Sequence, residues 1–282
     1  MKIQNALILI LTLILAAGQA EARICPRCGR DHLPDQVAPP KSEPPKEEPK
    51  TEPEPVKDEE PETIVLSVAR ERFFAPSVEI ANEADKILDR LEERYGKPKQ
   101  WRPFPIYYRQ YRGDGVAGYT LYSSPVVKEV VVYEKFETSV GGTLDHELTH
   151  AFFFYFLGSN FDLFLNEGLA QNSEYRRRES LRQTVYRRYS AGEFWELDRL
   201  YGRNQYDSRL LIYHQGFSVV DYLIGRGGSQ WFAAFMQDLV RTNDIDKALR
   251  RFYGYKDLGE LQTAWRQYVE RGQDRATVQA VR

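Results

Sequence analysis

Apolar positions change their period along this chain, and the change divides it. After Pro76, the residues Val78, Ile80, Ala84, Ile87, Leu88, Leu91 and Tyr95 recur mostly at helical spacing, and Gly96 with Pro98 supplies a stop. Ahead of that helix, Ile64-Val65-Leu66-Ser67-Val68 predicts a first strand. Behind it lie three short β-branched and aromatic runs, Phe104–Tyr108, Ala117–Tyr122 and Val126–Tyr133, separated by Gly and Pro, which predict three more strands. From Thr138 the pattern is helical nearly to the end, with an apolar series from Trp231 to Tyr268 that reads as helical core. Strands first and helices afterwards predict an α+β domain, with a small N-terminal mixed or antiparallel sheet and a mainly helical second half.

The amino terminus follows a different rule. Lys2 precedes an uncharged apolar run, Ala6–Ala17, and then Ala20-Glu21-Ala22. A basic start, an apolar run and an A-x-A site predict a cleaved secretory signal over 1–22, and hence a secreted or periplasmic protein. The run is short for a membrane span, which needs about 20 apolar residues. An uncleaved segment anchoring the protein to a membrane is the alternative; no second stretch is long enough to span. Residues 23–33 hold both cysteines, Cys25 and Cys28, as half of a zinc-ribbon pattern. In an oxidising compartment a short-loop disulfide, or otherwise free thiols, is the preferred reading, and metal binding with His32 as a third ligand is the alternative. Residues 34–62 contain nine of the 15 prolines, with four lysines against ten acidic residues. That composition predicts an extended, solvated, Pro/Glu/Lys-rich linker without a core, available to an envelope partner. One folded domain over 63–282 remains.

Charge narrows the function. Lys and Arg total 39 against 41 Asp and Glu, so the basic excess of a dedicated nucleic-acid binder is missing. Two basic-aromatic clusters, Tyr175–Glu179 and Tyr186–Tyr189, could meet an anionic polymer, but they sit among mixed charges and read as solvated helical surface. There is no GxSxG and no phosphate-cradling P-loop, and neither cysteine lies in the folded domain.

The pattern that carries chemistry is His146-Glu147-Leu148-Thr149-His150. Residues four apart share one face of a helix, so both imidazoles reach a single Zn²⁺, and Glu147 stands beside the first ligand to take a proton from water. Two histidines one turn apart also occur as hydrogen-bonded core residues, so a third ligand matters. Gly158-Ser159-Asn160 breaks the helix, Asp162 caps a second one, and after a 16-residue interval comes Glu167 in Leu165-Asn166-Glu167-Gly168-Leu169-Ala170. Two helices joined by a short turn face each other, and a His₂Glu set leaves a fourth position for water. Gln171 and Glu174, one and two turns beyond Glu167, are open to a role behind the ligands, with a solvated helix face as the preferred reading.

HELTH, the 16-residue interval and LNEGLA together resemble the gluzincin zinc metallopeptidases, the thermolysin and aminopeptidase N superfamily, and most of all its compact peptidase MA-like group. The resemblance implies a zincin-like catalytic domain, Zn²⁺ on His146, His150 and Glu167, Glu147 as general base, and a peptide or protein substrate. It also matches Tyr213-His214-Gln215-Gly216 to the Tyr-x-Lys-Gly of aminopeptidase N-type enzymes, which makes Tyr213 the candidate oxyanion donor. Gln215 replaces the family's lysine, and His214 is the rival donor. Gluzincins lay substrate along an edge strand, here expected after Gly115–Tyr119. The other function class is a catalytically inactive gluzincin-fold binding or scaffold module of the bacterial envelope.

Overall fold

A computed structural model describes residues 68–111, 116–133, 141–202 and 209–280. The signal segment, the Cys25/Cys28 segment, the linker and most of the expected first strand lie outside these residues. The chain begins with β1 (Val68–Ala69) and β2 (Phe73–Ala75), followed by α1 (Val78–Tyr95) and β3 (Phe104–Arg109). Next come β4 (Gly118–Ser123) and β5 (Val126–Tyr133). The sheet order is β1-β2-β3-β5-β4, so the five strands form a mixed sheet with β4 at one edge. β2 pairs parallel with β3 and β3 parallel with β5, while β1–β2 and β4–β5 are antiparallel.

α1 connects the parallel pair β2 and β3. Ser77 caps it by accepting from the Ile80 amide at 3.3 Å, and Gly96 ends it with a φ of 100° that a side chain would resist. Of the positions that the spacing singles out, Ala84, Ile87, Leu88, Leu91 and Tyr95 are buried, together with Ala81, whereas Ile80 is half-buried and Val78, in the first turn, is exposed.

The second half is helical: α2 (Thr143–Leu157), α3 (Leu163–Ser173), a 3₁₀ turn at Tyr175–Arg177, α4 (Arg178–Ser190), α5 (Leu197–Leu200), α6 (Arg209–Gly227), α7 (Ser229–Thr242), α8 (Ile245–Tyr253) and α9 (Leu258–Ala280). The domain is therefore α+β, with a small mixed sheet and a mainly helical second half. α2 runs through the core, with Phe152 and Phe153 fully buried. Trp101 packs against Phe152, Phe104 and Tyr155 with centroids 5.3–6.5 Å apart, and Phe104 stacks on Tyr155 at 6.2 Å. Tyr155 also ties α2 to the sheet side, donating to the Arg102 carbonyl at 2.8 Å and accepting from the Val127 amide at 3.1 Å. No helix among the described residues is long and apolar enough to cross a membrane.

Candidate metal centre

The first turn of α2 is held before the histidines begin. Asp145 is fully buried, accepts from the Gly141 amide at 2.8 Å and pairs with Arg90 of α1. Burial raises its pKa, with Arg90 opposing. One residue later, His146 and His150 project from successive turns with ring centroids 4.9 Å apart. The helix stops at Gly158 in the left-handed conformation, φ 77°. Asp162 then caps α3 through the Leu165 amide at 3.3 Å and holds the Gly202 amide at 2.7 Å. Both boundaries fall where the sequence places them.

This turn sends Glu167 back to the histidines. Its Oε2 lies 3.4 Å from His146 Nε2 and 3.6 Å from His150 Nε2, and one ligand atom from each of the three residues lies within 4.8 Å of the others. Tetrahedral donors around a cation with bonds of about 2.0–2.2 Å stand roughly 3.4 Å apart, so the spacing suits a small cation shared by the three groups. Glu167 Oε2 is also buried without a hydrogen-bond partner, an expensive condition that a cation would relieve.

The far sides of the rings agree with that arrangement. His146 Nδ1 meets Glu174 Oε1 at 2.8 Å, and His150 Nδ1 meets Asn166 Oδ1 at 2.8 Å. Both oxygens accept, so a neutral ring at either position keeps its proton on Nδ1 and presents the Nε2 lone pair towards Glu167. Arg177 in turn donates to Glu174 Oε2 at 3.0 Å. Glu174 is 4% and Gln171 7% exposed, so the solvated-face expectation is wrong for both. The reason is local: α3 buries residues on every side, and polar type no longer reports a solvent face. Asn166, which meets the His150 ring, is a residue that the sequence pattern alone leaves without a role, although it stands beside Glu167 on the helix. The Tyr175–Glu179 cluster is only partly a solvated surface: Tyr175 is exposed, while Arg177 serves Glu174 and Arg178 serves the buried Asn172.

The electrostatics follow from crowding charge away from water. Burial disfavours charge on His146 and His150, but the facing carboxylates, Glu167 and Glu174 for the first and Glu167 for the second, outweigh it and raise both. Burial likewise opposes ionisation of Glu167, and the two imidazoles overcome it, holding its carboxyl well below the ordinary range. Glu147 moves the other way: burial raises it, with the histidines opposing. Its carboxylate meets Thr120 Oγ1 of β4 at 2.9 Å.

Tyr213 arrives from α6, its ring roughly parallel to His146 (22°) with centroids 6.4 Å apart. Its neighbours do other work. Gln215 is buried and spans the Trp195 backbone, accepting from its amide at 3.0 Å and donating to its carbonyl at 2.6 Å. His214 Nδ1 is buried without a partner, and burial, then Arg188 and Arg177, lower its pKa to about 4. No family model, curated protein or solved structure matches this chain.

Proposed function

We propose that the protein is a zinc-dependent peptidase of gluzincin type on a zincin-like fold, cleaving peptide or protein substrates in the cell envelope or outside the cell. The observation that carries this reading is the convergence of two imidazole Nε2 atoms and the unpartnered Glu167 Oε2, with a buried glutamate alongside. His146, His150 and Glu167 would hold the zinc ion, which when bound supplies Lewis-acid polarisation and acidifies water.

The remaining steps belong to this chain's own groups. Glu147, buried beside the first imidazole, takes a proton from the attacking water and passes it to the departing amine nitrogen. Tyr213, beside His146, donates to the developing oxyanion. Glu174 and Asn166 keep the imidazoles in the tautomer that presents Nε2.

The test uses the full purified chain. Metal analysis after zinc loading should find one zinc per chain, lost in His150→Ala, and a quenched-fluorescence peptide library should be cleaved in a chelator-sensitive manner. A chain that takes up no zinc at neutral pH, or that cleaves equally well with chelator, overturns the proposal; the first result favours the scaffold alternative.

A further inference from the structure

The edge strand β4 crosses α2 with one face turned to it. Residues two apart on a strand share a face, and Gly118, Thr120 and Tyr122 do so here. Tyr122 stacks on Phe154 of α2 with centroids 4.9 Å apart. Thr120 Oγ1 stands 2.9 Å from the backbone oxygen of Glu147 and 2.9 Å from its Oε2. A hydroxyl has one proton, so this is a three-centre bond anchored on the helix and directed at the carboxylate. At Gly118, a Cβ would lie 3.1 Å from Glu147 Cγ, 3.1 Å from Thr143 Cγ2 and 2.7 Å from the Val131 carbonyl oxygen. The strand is thus cleared of side-chain bulk over the glutamate at one position and bonded to it at the next inward one.

We propose that Thr120 is a positioning residue for Glu147, its hydroxyl fixing the rotation of the carboxylate so that Oε2 is engaged and Oε1 is the oxygen that exchanges protons, with Gly118 leaving the space this requires. The inference rests on the peptidase reading. A carboxylate free to rotate would spend much of its time misdirected, and small misplacements of a reacting group are costly in rate.

Thr120→Val keeps the shape and removes the hydroxyl, whereas Thr120→Ser keeps the hydroxyl. With the library peptide that the parent cleaves fastest, Thr120→Val should lower kcat by about tenfold or more with KM and zinc affinity unchanged, and Thr120→Ser should recover most of the loss. A readout independent of turnover is the ¹³C resonance of the Glu147 carboxyl carbon, assigned by its disappearance in Glu147→Gln. It should shift in Thr120→Val and return in Thr120→Ser. A Thr120→Val protein with parental kcat and an unmoved resonance overturns the inference, as does equal slowing in both variants or a loss that follows zinc. If the parent cleaves no peptide, the peptidase reading itself has failed, and the inference falls with it.

Discussion

Gly168 and Gly216 meet backbone to backbone. A Cβ on Gly168 would lie 2.4 Å from the carbonyl carbon and oxygen of Gly216, and one on Gly216 would lie 2.6 Å from the Phe164 carbonyl oxygen. This contact brings α3, which carries Glu167, against α6, which carries Tyr213. Both glycines stand in motifs read for chemistry, yet their own task is to let two helices approach. Gly216→Ala should destabilise the fold by about 1–3 kcal/mol through overpacking, and weaken zinc binding as well. Gly225→Ala, in the same helix with open space around it, should instead stabilise by about 0.5–1 kcal/mol. Denaturant melts of the two variants check the pair, and equal effects would refute the close-contact role.

Glu147→Gln separates holding the metal from moving the proton. The amide side chain keeps nearly the same volume as the carboxylate but cannot accept the water's proton. Zinc content should stay at the parental level while turnover falls by at least about a hundredfold. Metal analysis and peptide cleavage on one preparation decide it, and undiminished cleavage counts against Glu147 as the base.

The groups behind the imidazoles should be felt in affinity. Removing the acceptor in Glu174→Ala or Asn166→Ala leaves an Nδ1–H unpaired and its ring free to reorient. Each change should weaken zinc by about 10–100-fold in competition with a chromophoric chelator. Unchanged affinity in both would show that packing alone orients the rings.

Much of this site was legible in the chain because it depends on short-range geometry. HExxH is a statement about one helix face, Gly158 and Asp162 are end signals, and Glu167 follows once the two helices fold back. The role of Glu174 was legible only as the less favoured alternative, and that of Thr120 not at all. Glu174 caps the end of α3, just past Ser173, and beside a helix buried all round its polarity is ambiguous. Thr120 reaches Glu147 across 27 positions, through a strand pairing that no local pattern encodes. The sheet divides similarly. β3, β4 and β5 fall within a residue or so of the runs that predict them, whereas the three-residue β2 lies in a charged, turn-rich stretch, too short for alternation to show.

His214 should make the fold sensitive to mild acid. Its folded pKa of about 4 lies below the roughly 6.5 of an unfolded histidine, so between those values the unfolded chain binds the extra proton. Stability is therefore lost as pH falls below about 6.5, the penalty being complete below about 4 and amounting to at most about 3 kcal/mol. Melting temperatures from pH 7 to 4.5 should fall less steeply in His214→Gln than in the parent. Parallel curves would remove this histidine from the acid response.

The helix bearing Glu167 has another property. Asn172 at its end takes hydrogen bonds from Arg94 of α1 and Arg178 of α4 and gives one to Asp221 of α6, which also accepts from Arg182 of α4 and Tyr268 of α9. With five helices laced together at one buried knot, α3 has no cheap way to detach alone. Its amides should exchange with deuterium only when the whole domain opens, at the pace of global unfolding.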